Sequence, residues 1–170
     1  MRVPISWLKE YVNITLPVEE LADKLTLAGL EVENIDYIGI PGGDDNERLV
    51  WDREKLVIGQ ILKVEQHPNA DRLVLATVEY GAAEPEVVVT GAPNLFEYLG
   101  QGDLTERQML TPFALEGAVV YDGHKEGYSK MTLKGKELRG IYNKCMVCSA
   151  KELGLGEDHD GIMLFTPAEM

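Results

Sequence analysis

From Lys55 onward the chain reads KLVIGQILKVEQ, then RLVLATVEY, then EVVVTGAP, short runs rich in Val, Ile and Leu that end at Gly, Pro or Asn. Apolar and β-branched runs of this length, punctuated by turn formers, favour strands. They lack the three-and-four spacing that a helix needs to bury one face. MLTPFAL, GAVVYDG, KMTL and CMVCS continue the pattern. Residues 56–149 therefore predict a small all-β unit, of the length expected for a five-stranded Greek-key barrel.

The flanks have a different texture. Ser6 precedes WLKEYV, whose Trp7, Leu8, Tyr11 and Val12 share a helical face, and its hydroxyl is placed to cap free amides. In LPVEELADKLTLAG, Pro17 and the acids Glu19 and Glu20 suit a first helical turn, while Gly29 is the natural stop. LEVENIDYIGI then alternates as a half-buried strand would. PGGDDNER is turn-rich, so residues 41–55 are expected to be a linker. Residues 150–170 are too short to fold alone. The expected assembly is mainly β: an OB-fold barrel over 56–149, inserted into a small α/β (α+β) layer made from residues 1–40 and 150–170.

Charge narrows the function. The 170 residues carry a formal charge of −13, which by itself opposes binding to phosphate backbones. The stretch from Ser129 to Cys145 reverses the sign locally, with Lys130, Lys134, Lys136, Arg139 and Lys144 against the single acid Glu137. On a strand, Lys130, Thr132 and Lys134 project from the face opposite Met131 and Leu133. Such a run is either a solvated surface or a positive stripe that steers a polyanion to one side.

The second informative stretch is HPNADRL, residues 67–73. Pro68 holds His67 extended, and Asn69 and Asp71 bond their own local backbone, so the sequence predicts a stiff corner between two strands. Two readings stand: a structural turn alone, or a turn whose His67, Asn69 and Arg72 tips touch a ligand at a barrel loop.

Other chemistries find little support. Cys145 and Cys148 have CxxC spacing, but no second ligand pair exists for zinc, and CMVCS reads as a strand rather than a redox helix start. Both are expected to be buried small hydrophobes. No phosphate loop or nucleophile turn occurs, so no catalytic or metal residues are assigned. Two cysteines, no signal-type segment and no long apolar run lead us to expect a cytoplasmic protein that does not enter a membrane.

MRVPISWLKEYV, ELADKLTLAGLEVE, GQILKVEQHPNADRLVLATVEYG, VVTGAPN, LKGKELRG and MVCSAKELGLGEDHDGI together resemble the N-terminal region of the bacterial phenylalanyl-tRNA synthetase β chain. The resemblance implies an OB fold of the tRNA-binding type, akin to free-standing tRNA-binding proteins and the C-terminal domain of bacterial methionyl-tRNA synthetases. It implies a part of a longer β chain, with aminoacylation in the α chain and proofreading in later β domains. The implied partners are tRNA, the α chain and the remaining β chain in a heterotetramer. ATP and Mg would serve the parent enzyme, and no cofactor is expected in this segment.

Carried over residue by residue, the resemblance touches His67, Asn69, Asp71 and Arg72, then Asn94 of GAPN, then the strand before Met146. There the family usually has Ser-Glu-Gly, and this chain has Asn143, Lys144 and Cys145. The segment 96–110 is longer than the family spacing and is expected to cover or extend an open barrel face. The candidate RNA contacts are thus His67, Asn69, Arg72, Asn94, Lys130, Lys134, Lys136, Arg139, Asn143 and Lys144. The expected function is an accessory tRNA-binding module without chemistry of its own. Rival readings are a bracing module that no longer touches RNA and, further behind, a thiol oxidoreductase.

Overall fold

The computed structural model describes residues 2–43 and 48–167. It divides into two compact units, Met1–Tyr37 and Ile38–Met170.

The first unit holds two helices, α1 (Ile5–Leu8) and α2 (Val18–Leu27). Ser6 lies inside α1 rather than capping it; Pro4 is the cap, with no side-chain bond. Pro17 precedes α2, with Glu19 and Glu20 in its first turn, where negative charge meets the helix dipole. Gly29 (φ 92°) ends α2 in a left-handed turn, where the Leu30 N–H donates to Leu25 C=O (2.9 Å) and the Gly29 N–H to Thr26 C=O (3.0 Å). The strand expected from LEVENIDYIGI does not form: among the described residues 30–38 carries no ladder, and Gly39 makes an isolated parallel bridge with Val50. Alternation supplies a pleated face, but a strand also needs a neighbour to take its backbone bonds.

The second unit contains the barrel. Strands β1 (Leu56–Gln66), β2 (Val74–Glu79), β3 (Glu86–Thr90), β4 (Leu110–Ala114) and β9 (Met146–Val147) form one antiparallel sheet in the order β3-β2-β1-β4-β9. The sheet curls into a nearly closed OB-type barrel. Its seam is sewn by a side chain, because the Val89 N–H of β3 donates to Asn143 Oδ1 (2.9 Å) just before β9. Ile61, Val64, Val74, Val78, Val88 and Phe113 fill the interior, each with essentially no exposure. Alternation puts them there: β2 buries every second residue.

Two ribbons stand beside this sheet: β5 (Val119–Tyr121) with β6 (Lys130–Thr132), and β7 (Lys136–Leu138) with β8 (Ile141–Asn143). The β5–β6 ribbon covers a second cluster of Ala114, Ala118, Val120, Leu133, Cys148 and Leu153.

The long segment between β3 and β4 fills the barrel rather than merely overlying it. Leu95, Leu104 and Met109 are buried in the main core, and the Leu104 N–H donates to Leu62 C=O (2.8 Å). Residues 150–170, expected alongside residues 1–40, are part of the second unit. Their apolar run pairs with β4 through reciprocal Leu110–Phe165 bonds (2.9 and 2.8 Å), and Ile162 enters the main core. The barrel offers unpaired backbone and an apolar face, which satisfies both needs of that run.

Of the expected linker, residues 44–47 lie outside the described residues. Its later part is docked: the Leu49 N–H donates to Tyr121 Oη (2.9 Å) and Trp51 Nε1–H to Leu153 C=O (3.1 Å).

Candidate nucleic-acid interface

The two stretches that stood out in sequence meet in space. β7 and β8 turn through two residues, Arg139 (φ 51°) and Gly140 (φ 90°), both left-handed as a tight hairpin of this length requires. Left-handed backbone suits glycine but strains arginine. The strained residue is held from outside: Asn69 Nδ2–H donates to Arg139 C=O (3.0 Å).

His67 makes the second clamp. The residue is 2% exposed. The Asn69 backbone N–H donates to Nδ1 (3.0 Å), so Nδ1 must accept, leaving Nε2–H to donate to Leu138 C=O (3.3 Å). Gln66 braces the same corner, donating to Ala70 C=O (3.0 Å). The HPNADRL corner is therefore a stiff turn, and it is also locked to the β7–β8 turn. Together the two turns line an open depression formed by Asn69, Ala70, Asp71, Arg72, Leu73 and Arg139.

The expected RNA contacts separate into two groups. Arg72, Lys130, Lys134, Lys136 and Arg139 are exposed, and among the described residues none has an acidic partner at ion-pair distance. The alternation expected around β6 is present, with Lys130, Thr132 and Lys134 exposed and Leu133 buried.

The other group is occupied internally. His67 is a buried staple, and Asn69, though exposed, uses its side-chain amide on Arg139 C=O. Asn94 holds the C-terminal segment with both amide ends, donating to Ile162 C=O (2.8 Å) and accepting from the Ile162 N–H (3.2 Å). Asn143 is buried at the barrel seam. Lys144 lies 3.1 Å from Glu86, whose hydrogen bond and charge push the ammonium pKa up. Sequence could not reveal these partners, because each sits tens of residues away along the chain.

The thiols are inert in character. Cys145 and Cys148 are both free and buried, and desolvation raises both pKa values, Cys148 most strongly. A nucleophilic or redox cysteine needs the opposite shift. Among the described residues no group of three His, Cys, Asp or Glu side chains is arranged to hold a metal ion. None of their helices is long and apolar enough to cross a membrane.

Sequence reading missed the β7–β8 hairpin. Its only local sign was the Arg-Gly pair between short runs, weaker than the usual Asn-Gly or Asp-Gly signal. It also passed over Tyr142 of β8, which is 62% exposed within the basic stretch.

A nearly closed five-stranded antiparallel barrel, with exposed cations on the turns at one corner, defines a barrel of the OB type. The chain belongs to the family described as "Putative tRNA binding domain", whose model matches residues 56–170. Over almost its whole length it is similar to phenylalanine–tRNA ligase beta subunits. It is 40% identical over 169 residues to that of Dehalococcoides mccartyi strain 195, covering 99% of this chain and 18% of the relative. It is 40% identical over 165 residues to that of Clostridium tetani, covering 96% and 17%. For Protochlamydia amoebophila the identity is 41% over 163 residues, again 96% and 17%. The chain thus spans less than a fifth of the length of these relatives.

Proposed function

We propose that this chain is the accessory tRNA-binding module of a phenylalanine–tRNA ligase, contacting the sugar-phosphate backbone through the joined corner and hairpin. The observation that carries the reading is the double clamp, His67 to Leu138 and Asn69 to Arg139, which sets Arg72 and Arg139 around one open depression. The clamped backbone of the turn loses little freedom on binding, which matters where net charge opposes association. Asp71 in the same depression limits the affinity and suits a contact that must release its RNA.

Attachment of phenylalanine to tRNA is done elsewhere in the assembly. ATP and Mg serve that assembly, with the α chain and the rest of the β chain as partners in a cytoplasmic heterotetramer. The site of RNA contact here comprises Arg72, Arg139 and the exposed lysines Lys130, Lys134 and Lys136, with Asn69 holding the turn that carries Arg139.

Fluorescence anisotropy with tRNA across a salt series tests this. Binding at low salt that weakens steeply with salt, and less steeply in R72A/R139A, supports it. Absence of binding at low salt overturns it and leaves the second reading, a bracing module. That alternative draws on Asn94, Asn143 and Lys144, which all serve internal contacts.

A further inference from the structure

The basic stretch contains one large aromatic side chain, and it stands mostly in solvent. Tyr142 is 62% exposed and stands directly opposite Glu137 in the β7–β8 ribbon. Its hydroxyl end rests on Gly135, so closely that a Cβ there would lie 2.0 Å from the phenolic oxygen and 2.6 Å from Cζ. Gly135 is therefore the floor on which the outer edge of the ring lies. The floor is itself fixed, since the Gly135 N–H donates to Glu116 Oε1 (3.0 Å). Lys134 and Lys136 flank the glycine, both exposed and both without an acidic partner among the described residues. Tyr128, the other exposed tyrosine of this region, differs: its hydroxyl is bonded to Glu157 and its ring packs edge-on against Tyr121 at 5.0 Å.

We infer that Tyr142 is a stacking platform for an unpaired nucleobase, with the adjoining phosphates held by Lys134 and Lys136. A held, solvent-facing ring bracketed by cations is the arrangement by which single-stranded nucleic acid is bound without sequence readout. Glu137, opposite Tyr142 in the ribbon, and Glu116, bonded to the glycine floor, disfavour phosphate at the ring face itself and leave that face to a base. A single-stranded loop or end of tRNA is the class of ligand that offers such a base.

The inference rests on the tRNA-binding reading, and the test separates the two. The 170-residue chain and its Y142A, Y142L, Y142W and G135A variants are titrated with tRNA and with a short single-stranded RNA carrying 2-aminopurine. Wild type and Y142W should quench the 2-aminopurine on binding. Y142A and Y142L should weaken binding about ten-fold and abolish the quench, with an unchanged salt slope because no phosphate contact is removed. G135A keeps the tyrosine but lifts the ring off its floor, so it should weaken binding in the same direction. Undiminished affinity and quenching in Y142L and Y142A overturn the inference while leaving tRNA binding intact. No binding by the wild type overturns both.

Discussion

The two units of this chain solve the problem of folding in opposite ways. In the second unit, strands β1 to β4 and the 3-10 turns between β3 and β4 bury a continuous cluster that runs from Ile61 to Ile162. In the first, not one described residue of 2–37 is buried, and Trp7, Tyr11, Leu27 and Leu30 are exposed by half or more. Both segments are apolar in periodic fashion. The difference is that a sheet which curls on itself supplies both walls of a core, whereas two short helices supply one wall. The charge differs as well, since residues 1–40 carry three basic and seven acidic side chains while the exposed basic run belongs to the barrel unit.

The sharpest way to break this contrast is to truncate one apolar side chain in each unit. Phe113→Ala empties a fully buried site packed against Tyr80 (centroids 5.2 Å apart) and should cost about 3–5 kcal/mol in urea unfolding. Leu27→Ala, at a residue 89% exposed, should change stability by no more than about 0.5 kcal/mol. Equal destabilisation would mean that the first unit has a core after all.

Next in size is the seam. Asn143→Ala leaves the buried Val89 N–H without its acceptor and should cost about 1–3 kcal/mol, with faster amide exchange at Val89. A silent substitution would show that ladder bonds alone close the barrel.

The electrostatic half of the comparison is tested by salt. Replacing Lys130, Lys134, Lys136 and Arg139 together by alanine should weaken tRNA binding and flatten the log–log salt slope by about one unit for each phosphate left without its cation. Lys24→Ala in the first unit, where the ammonium already pairs with Glu20 at 3.5 Å, should leave that slope alone. An equal change from Lys24 would spread the RNA surface over both units.

The smallest expected effect concerns pH. Burial raises the Cys148 pKa, so the folded chain keeps a proton that the unfolded chain releases in alkali. Its contribution to stability is thus complete below the ordinary thiol pKa and declines as pH rises above it. Urea midpoints at pH 8 and pH 10 should show this decline in the wild type and a smaller one in Cys148→Ala, with Ala tolerated because the site takes a small apolar group. Identical pH dependence would place the titration elsewhere.

The β architecture was legible in the sequence because runs such as KLVIGQILKVEQ and EVVVTGAP each carry their own apolar pattern and their own terminators. β7 and β8 were not, since their turn depends on Asn69 holding Arg139 in a left-handed conformation from seventy residues away. The same limit divided the candidate site. Exposed cations are readable as charges, so Lys130, Lys134, Lys136 and Arg139 were found as an exposed set. The polar residues His67, Asn94 and Asn143 look the same in sequence whether their hydrogen bonds run to RNA or to the protein's own backbone.

Sequence alone determined that a mainly β barrel unit forms, where its main strands run, and that one stretch of an acidic chain is strongly basic, because periodicity and charge are properties of neighbouring residues. Only the tertiary structure decided that the C-terminal run joins the barrel, that Asn143 closes its seam, and that the HPNADRL corner and the β7–β8 turn act as one surface. Those outcomes depend on which distant backbone group is left needing a partner, and that is settled only once the chain has folded.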